Sequence, residues 1–199
     1  MFIELTDHLR CPGDHAEAYL VLLPDSVVQR SVQAGELGCP VCHRTFRIRD
    51  GILDFGDAPP LDESAPSLDG GSVAALTGLG GPGGYLVLAG PIAGRWQEVE
   101  AVLHGVSMVA VNGPAALADA RGLSVLRGAR VPLKSASMRG VVLSGRIGGE
   151  AAWVREAARV LLPGLRVVGE GPAPDPGLVD VIATAGGWWV ATRRPGGSA

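Results

Sequence analysis

All three cysteines of the 199-residue chain lie in its first quarter. Cys39 and Cys42 form a C-x2-C pair, and Cys11 opens an earlier run that reads Cys-Pro-Gly-Asp-His. Thiolates and imidazoles at this spacing are typical ligands of a tetrahedral zinc ion, which small modules hold between two tight turns. The three cysteines, with one further ligand from the earlier run, therefore predict a structural zinc site.

The fourth ligand is either His15 or Asp14. Imidazole is the commoner fourth ligand in structural sites, and the spacing from Cys11 allows it, so His15 is our prediction and Asp14 is the alternative. An odd number of cysteines cannot pair completely as disulfides, which also favours metal ligation. The competing interpretation is a decayed site that leaves three free thiols and a surface histidine.

The motifs around these cysteines follow one another in a recognisable order. They read LTDHLRCP, LVLL, GxLxCPVC and FRIRDGILDF, and they span most of residues 1–56. This order resembles the zinc-ribbon family of tRNA and protein methyltransferase activator subunits, with Asp14-His15 standing where that family has a second cysteine. The resemblance implies a β-rich zinc ribbon that docks onto methyltransferase domains and stabilises them. A module with so few apolar side chains is marginal without a bound metal.

Composition divides the remainder of the chain into two parts. Residues 57–84 are rich in proline, glycine, serine and aspartate, which predicts a linker with at most one helical turn around Val73 to Leu79. From residue 85 onward, short apolar runs alternate with helical patterns, which is typical of strands and helices around a mostly parallel sheet. We predict strands at 85–89, 107–111, 123–126, 140–143, 165–169, 179–183 and 188–192, helices at 95–103, 114–120 and 149–161, and, in the first part of the chain, β-like runs at 19–23 and 45–48.

Two stretches of the second half resemble class I S-adenosylmethionine-dependent methyltransferases. Residues 150–168 look like the helix and tight turn before the fifth strand of that family, and residues 131–142 look like the approach to its fourth strand. The resemblance implies a Rossmann-like fold with a cofactor crevice at the carboxyl ends of the strands. The predicted fold class is α/β, with a zinc ribbon (1–56), a Gly/Pro-rich linker (57–84) and a shortened, degenerate methyltransferase-like domain that ends in an antiparallel hairpin (85–195).

The positions that this family uses for its cofactor have lost their small or acidic residues. Gly90 and Gly94 match the glycine-rich turn, but Leu88 and Ile92 stand where an acidic residue and a glycine are expected. At the end of the second strand, Asn112 replaces the carboxylate that binds both ribose hydroxyls. Basic residues occupy two further acidic positions, at Arg127 to Arg130 and at Arg139. Each lost charge-assisted hydrogen bond is worth about 1.5–3 kcal/mol, so we expect no S-adenosylmethionine binding and no catalytic residues.

The remaining acidic residues near this turn offer little substitute, because Glu98, Glu100 and Asp119 fall within predicted helices. Bulk charge adds a second exclusion. A net charge of −3 lacks the basic excess that nucleic-acid binding needs, and binding through Arg44, Arg47 and Arg49 is the weakest of our hypotheses. No run resembles a secretory signal or reaches the ~18 apolar residues of a membrane span, so we expect a cytoplasmic location.

These patterns favour a non-catalytic, zinc-binding adaptor or structural subunit, a pseudo-methyltransferase that docks onto a protein partner or forms an oligomer. The alternative is an active S-adenosylmethionine-dependent methyltransferase with an atypical cofactor site. Trp188 and Trp189 must place one indole on each face of the last strand. Either both indoles are buried within the chain or one of them is an interface anchor.

Overall fold

A computed structural model describes residues 1–62, 64–175, 177 and 179–194. It is a mixed α/β structure in which a large sheet carries few helices. The strands are β1 (Val21–Val28), β2 (Ser31–Gly38), β3 (Thr45–Arg49), β4 (Ile52–Asp54), β5 (Tyr85–Ala89), β6 (Ser107–Val111), β7 (Leu123–Arg127), β8 (Met138–Leu143), β9 (Leu161–Glu170), β10 (Val179–Ala185) and β11 (Trp188–Arg193). The helices are α1 (Gly70–Thr77), α2 (Trp96–Val102) and α3 (Ala151–Val160), with 3-10 turns at Ile3–His8, Pro91–Arg95 and Gly145–Ile147.

All of these strands form one sheet in the order β1-β2-β3-β4-β7-β6-β5-β8-β9-β11-β10. The β4 strand pairs in parallel with β7, in a register that places Leu53 opposite Leu126, and the Phe55 amide extends this ladder by donating to the Arg127 carbonyl. The first 56 residues, which we call the N-terminal module, are therefore continuous with the parallel strands. The chain runs from β5 outward to β7 and then returns to place β8 beside β5, so the topological switch point lies between β5 and β8.

The parallel strands are buried on both faces. In β5 and β6 nearly every side chain is inaccessible to solvent, as expected for continuous apolar runs in a sheet that is covered on both sides. One face packs against the first nine residues and α3, and the other packs against α1 and α2. Trp188 and Trp189 fall on opposite faces, as predicted, and both are buried. Both indoles are therefore buried within the chain, and the alternative interpretation of one of them as an exposed interface anchor is wrong.

Most predicted elements of the second half are present, and the hairpin at Gly186-Gly187 joins the antiparallel strands β10 and β11. The helix predicted at 114–120 is wrong. A turn closes between Leu117 and Pro114, and Ala120 forms an isolated bridge with Leu123. Asp119 pairs with the Met1 amine at 2.6 Å, and this long-range ion pair takes the place of helical continuation.

The predicted linker contains a full helix rather than one turn. Asp69 caps α1 by accepting from the Ser72 amide at 2.7 Å, and Gly78 ends the helix in the left-handed conformation. Val73 is fully buried, and a Cβ on Gly70 would overlap the backbone of Glu98 on α2. α1 is thus part of the core, while the three-part division of the chain stays a prediction. No helix among the described residues has both the length and the apolar character needed to cross a bilayer.

Candidate functional site

Four side chains converge at the outer end of the N-terminal module. The ligand atoms of Cys11, His15, Cys39 and Cys42 all lie within 4.8 Å of one another. The Cys11 and Cys42 sulfurs are 3.6 Å apart, and the Cys39 sulfur is 3.5 Å from His15 Nε2. A tetrahedral zinc with ordinary Zn–S and Zn–N bond lengths requires separations of about 3.6–3.8 Å. The cluster could therefore bind a metal ion, and its size is compatible with zinc.

Two tight turns present these ligands. The second turn closes when the His43 amide donates to the Cys39 carbonyl at 3.0 Å and the Cys39 amide donates to the Arg44 carbonyl at 2.9 Å. His43 adopts a positive φ of 58°, which reverses the chain directly after Cys42. In the first turn the Gly13 amide lies 3.4 Å from the Cys11 sulfur. Backbone N–H groups directed at sulfur favour the thiolate that a metal requires.

The imidazole of His15 is oriented for ligation. Its Nδ1 lies 2.7 Å from the Ala16 carbonyl, which can only accept, so the Nδ1 carries the proton and Nε2 is left as the ligand atom facing the cysteines. Asp14, the alternative ligand, instead pairs with Arg130 at 3.4 Å, and its side chain is 89% exposed. The structure thus brings His15 and not Asp14 to the three cysteines. Binding of zinc by these four residues stays a prediction.

The cysteines differ in acidity because their surroundings differ. Burial raises the pKa of the Cys11 thiol to about 11. The Arg44 amide, which donates a hydrogen bond to sulfur, lowers the pKa of Cys42. A metal ion entering the site must displace the Cys11 proton, so its affinity should rise with pH. Cys42 therefore loses its proton more readily than Cys11.

The Cys/His cluster is tied to the parallel strands by a buried arginine. Arg159 of α3 donates to the Val131 carbonyl at 2.8 Å and to the Leu133 carbonyl at 2.7 Å, and its side chain is 7% exposed. Leu133 in turn forms an antiparallel bridge with Leu9, just before the turn that carries Cys11 and His15. Glu156 accepts from the same guanidinium at 2.8 Å. The first ligand segment is therefore anchored to the remainder of the fold by a fully partnered charge.

The switch-point crevice is closed by the chain itself. Ile92 is fully buried, and its amide donates to the Ser144 hydroxyl at 2.8 Å, which links the loop after β5 to the loop after β8. Gly90 has a positive φ of 81°, and a Cβ there would clash with the Ser144 carbonyl. Gly94 lies in the 3-10 turn that follows. Gly90 is therefore needed for loop-to-loop packing, which is a reason for its presence independent of any cofactor.

Asn112 is occupied within the chain. Its amide nitrogen donates to the Gly128 carbonyl at 2.8 Å, and its amide oxygen accepts from the Gly128 N–H at 3.0 Å. The residue is buried and adopts a positive φ of 50°. From the sequence alone, we expected that the Asn112 side chain could still form a hydrogen bond with one ribose hydroxyl. In the structure both ends of the amide instead join the loops after β6 and β7.

A segment that the sequence patterns did not reveal crosses the sheet at the carboxyl ends of β8 and β9. We call residues 57–62 and 64–69 the strap. Asp62 accepts from the Arg146 amide at 3.2 Å and lies so close to Gly145 that a Cβ there would overlap it. The Ser67 hydroxyl donates a hydrogen bond to the Glu170 carboxylate at 3.2 Å and accepts one from the Trp188 indole at 2.9 Å. The strap thus lies over the carboxyl ends of β8 and β9, although its composition indicated only a linker.

Two of the other acidic candidates, Glu98 and Asp119, are also engaged. Glu98 accepts from Arg95 at 2.7 Å and from the Gly70 amide at 3.1 Å, so it joins α1 to α2. Asp119 binds the Met1 amine and accepts from the Ser31 hydroxyl at 2.6 Å. Neither carboxylate is free to replace those missing from the strand ends.

No family model matches this chain, and no curated protein sequence matches it either. Among solved structures, the chain is similar to a chain from the complex between the Haloferax volcanii Trm112 methyltransferase activator and a methyltransferase. The identity is 21% and the TM-score is 0.40, and the match covers 50% of this chain and 50% of that chain. The chain thus spans half the length of this structural neighbour. At this distance the likeness assigns neither a family nor a function, so the function rests on the geometry.

Proposed function

We propose that this protein is a non-catalytic, zinc-binding adaptor or structural subunit, built from a zinc ribbon and a shortened, Rossmann-like methyltransferase fold that binds no S-adenosylmethionine. The observation that carries the proposal is the closed crevice at the switch point. Ile92 fills the turn, Asn112 is saturated by backbone partners, and the strap covers the neighbouring strand ends. A pseudoenzyme of this kind acts by holding other proteins.

Electrostatics supports the same conclusion. A sulfonium cofactor needs carboxylates that are free to accept from its amine and its ribose. The acidic groups at this end of the sheet are used internally: Asp62 accepts from the Arg146 amide, and Glu170 accepts from the Gly145 amide at 2.7 Å. Opening the crevice would break both hydrogen bonds, of which the one from Gly145 is partly buried and the one from Arg146 is exposed. The loss is on the order of 1 kcal/mol for each bond.

The ligand set supports a structural rather than a catalytic role for zinc. Four protein ligands complete a tetrahedral site and leave no position for a water molecule or a substrate. When bound, zinc would join the Cys11–His15 turn to the Cys39–Cys42 turn and so fix the ends of β2 and β3. The chain's own residues do the remaining work, because His15 is oriented by the Ala16 carbonyl and the Cys11 thiolate by the Gly13 amide.

The pairing of β4 with β7 supports a stabilising role for the N-terminal module. Activator subunits of the family that this module resembles dock onto separate methyltransferase domains. Here β4 completes the sheet of its own chain, and Leu53 and Phe55 are buried in the joint. In this proposal the module performs within one chain what the activators do between chains, so a partner protein must bind a different surface.

Isothermal titration of the zinc-loaded protein with S-adenosylmethionine tests the proposal. We expect no binding heat at millimolar ligand, while elemental analysis finds one zinc per chain and circular dichroism verifies a folded sample. An active class I methyltransferase, titrated in parallel, serves as the positive control. Micromolar binding to this protein would overturn the proposal and favour the active enzyme with an atypical site.

A further inference from the structure

One face of the N-terminal module is uncovered. Strand register aligns Leu23, Glu36, Arg47, Asp54 and Arg127 across β1, β2, β3, β4 and β7, so their side chains share a face of the sheet. On the parallel strands this face is covered by α1 and α2. Over β1 to β3 it stays open among the described residues, with Leu23 64% exposed and the Arg47 side chain 65% exposed. This face is therefore accessible to a partner.

The open face carries a groove of about 580 Å³ with a positive charge. Its charged lining consists of four arginines and two aspartates, namely Arg44, Arg47, Arg49, Arg127, Asp50 and Asp54. The groove thus has a net charge of +2, and because the whole chain carries −3, the remainder carries −5. The parallel pairing of β4 with β7 is what adds Arg127 to the arginines of the N-terminal module. The groove therefore favours an anionic occupant against the sign of the protein as a whole.

Arg47 pairs through Nε with Glu36 at 3.2 Å, while the other guanidinium groups of the groove have donors to spare. The Arg49 guanidinium makes no hydrogen bond or ion pair with the described residues. The Arg44 guanidinium lies over the Phe46 ring, 5.3 Å from its centroid, and has no carboxylate partner among the described residues. Arg127 makes one long bond, 3.4 Å to the Ala115 carbonyl, and its Nε is buried with no acceptor. A buried donor without an acceptor is costly. Arg127 lines the groove, so a carboxylate there meets a guanidinium that has no carboxylate partner among the described residues.

The same face distinguishes a protein segment from a nucleic acid. Phe46 and Phe55 are buried and pack on each other with centroids 4.7 Å apart, so they offer no exposed ring on which bases could stack. Two carboxylates in the groove repel a continuous phosphate backbone but are tolerated by a peptide whose charges are spaced. Val21 and Leu23 place exposed aliphatic side chains on β1, on the same face as Arg47 and separated from it by Glu36 of β2. Apolar contacts next to cationic ones match a chain in which apolar and acidic residues alternate.

We propose that this arginine groove, together with Val21 and Leu23 on the same face of β1, binds an acidic segment of a partner protein. The acidic side chains of that segment pair with Arg47, Arg49 and Arg127, and its apolar side chains pack on β1. The inference rests on the adaptor role proposed above and names the chemistry of its partner.

Fluorescence anisotropy of the full zinc-loaded chain tests this site. The probe is a short fluorescein-labelled peptide in which glutamate alternates with leucine, compared with a lysine-leucine peptide and with labelled oligouridylate. We expect the glutamate peptide to bind more tightly than both, and added salt to weaken it. The double variant Arg47→Glu/Arg49→Glu should weaken binding about tenfold or more, and Leu23→Ser should weaken it severalfold.

The matched control is Arg121→Glu/Arg155→Glu, which makes the same charge change at exposed positions outside the groove. It should leave peptide binding nearly unchanged, and circular dichroism verifies that all variants fold. Tighter binding of oligouridylate, equal loss in the control, or dimerisation that Arg47→Glu/Arg49→Glu abolishes would each overturn the inference. If neither the glutamate peptide nor S-adenosylmethionine binds, only the groove proposal is overturned. If S-adenosylmethionine binds, the proposed function itself is overturned.

Discussion

The two ends of the sheet are stabilised by different means. At the parallel end, strands such as β5 are covered by helices or by the N-terminal segment on both faces, and their side chains are wholly buried. At the N-terminal end, β3 alternates buried and exposed residues, one face is open, and the tips of the strands meet in a Cys/His cluster. Apolar burial is sufficient for the first region, while in our proposal the second depends on a bound metal. The two regions should therefore fail under different treatments.

Loss of the metal should have the largest effect. Cys42→Ser removes one of four ligands, and structural zinc contributes on the order of 10 kcal/mol to folding of small modules. We expect zinc content to fall and hydrogen-exchange protection to be lost in β2 and β3 while β5 and β6 stay protected. His43→Asn, at the neighbouring left-handed position and outside the ligand cluster, should retain both. Full protection of β2 and β3 in zinc-free Cys42→Ser would remove the contrast between the regions.

Truncation of the apolar core should have a smaller effect and the opposite distribution. Leu88→Ala, at a fully buried position of β5, should lower the free energy of unfolding by about 2–5 kcal/mol because it leaves a cavity. Urea denaturation measures the loss, and elemental analysis should still find zinc. If the variant released its metal under native conditions, the two regions would be a single cooperative unit.

The buried arginine between the regions tests how they are joined. Arg159→Ala removes the donors to the Val131 and Leu133 carbonyls and leaves Glu156 with the longer contact to Arg10, at 3.4 Å. We expect a loss of about 3 kcal/mol in the free energy of unfolding and weaker zinc binding, because the first ligand segment loses its support. Arg155→Ala, on the exposed side of the same helix, is the control. A change in stability with no change in zinc affinity would mean that the ligand turns are positioned independently.

The smallest effect concerns pH at the Met1 amine. Burial lowers its pKa below the usual 8.0, although a hydrogen bond and charge attraction from Asp119 oppose this. Between the lowered value and 8.0, the unfolded chain binds more protons than the folded chain, so the free energy of unfolding rises with pH across this interval. Asp119→Asn should extend the rise to lower pH. Urea titrations at a series of pH values, with zinc in excess, would show it, and an unchanged profile in the variant would contradict it.

The sequence predicted the elements that have strong local signals. The continuous apolar runs of β5 and β6 gave their observed limits, and cysteine spacing selected the residues that converge with His15. Elements held by distant contacts were missed. β2 is polar and contains two glycines, and β4 has three residues and owes its existence to pairing with β3 and β7.

The strap and the arginine groove were beyond prediction for related reasons. Asp62 and Ser67 are held by backbone amides, a carboxylate and an indole far away in sequence, so no periodic pattern marks them. The groove combines arginines of β3 with Arg127, more than 70 residues later in the numbering, and only the strand order brings them together. The acidic total of the chain concealed this local excess of positive charge.

The parallel pairing of β4 with β7 has a consequence for the fate of the protein during zinc starvation. If the N-terminal module unfolds, β7 changes from an internal strand to an edge with a row of unpaired amides and carbonyls, flanked by apolar side chains. Edges of this kind recruit other strands and seed insoluble assemblies. In our proposal the metal thus protects a template for self-association, and chelation should be followed by turbidity as well as by loss of structure.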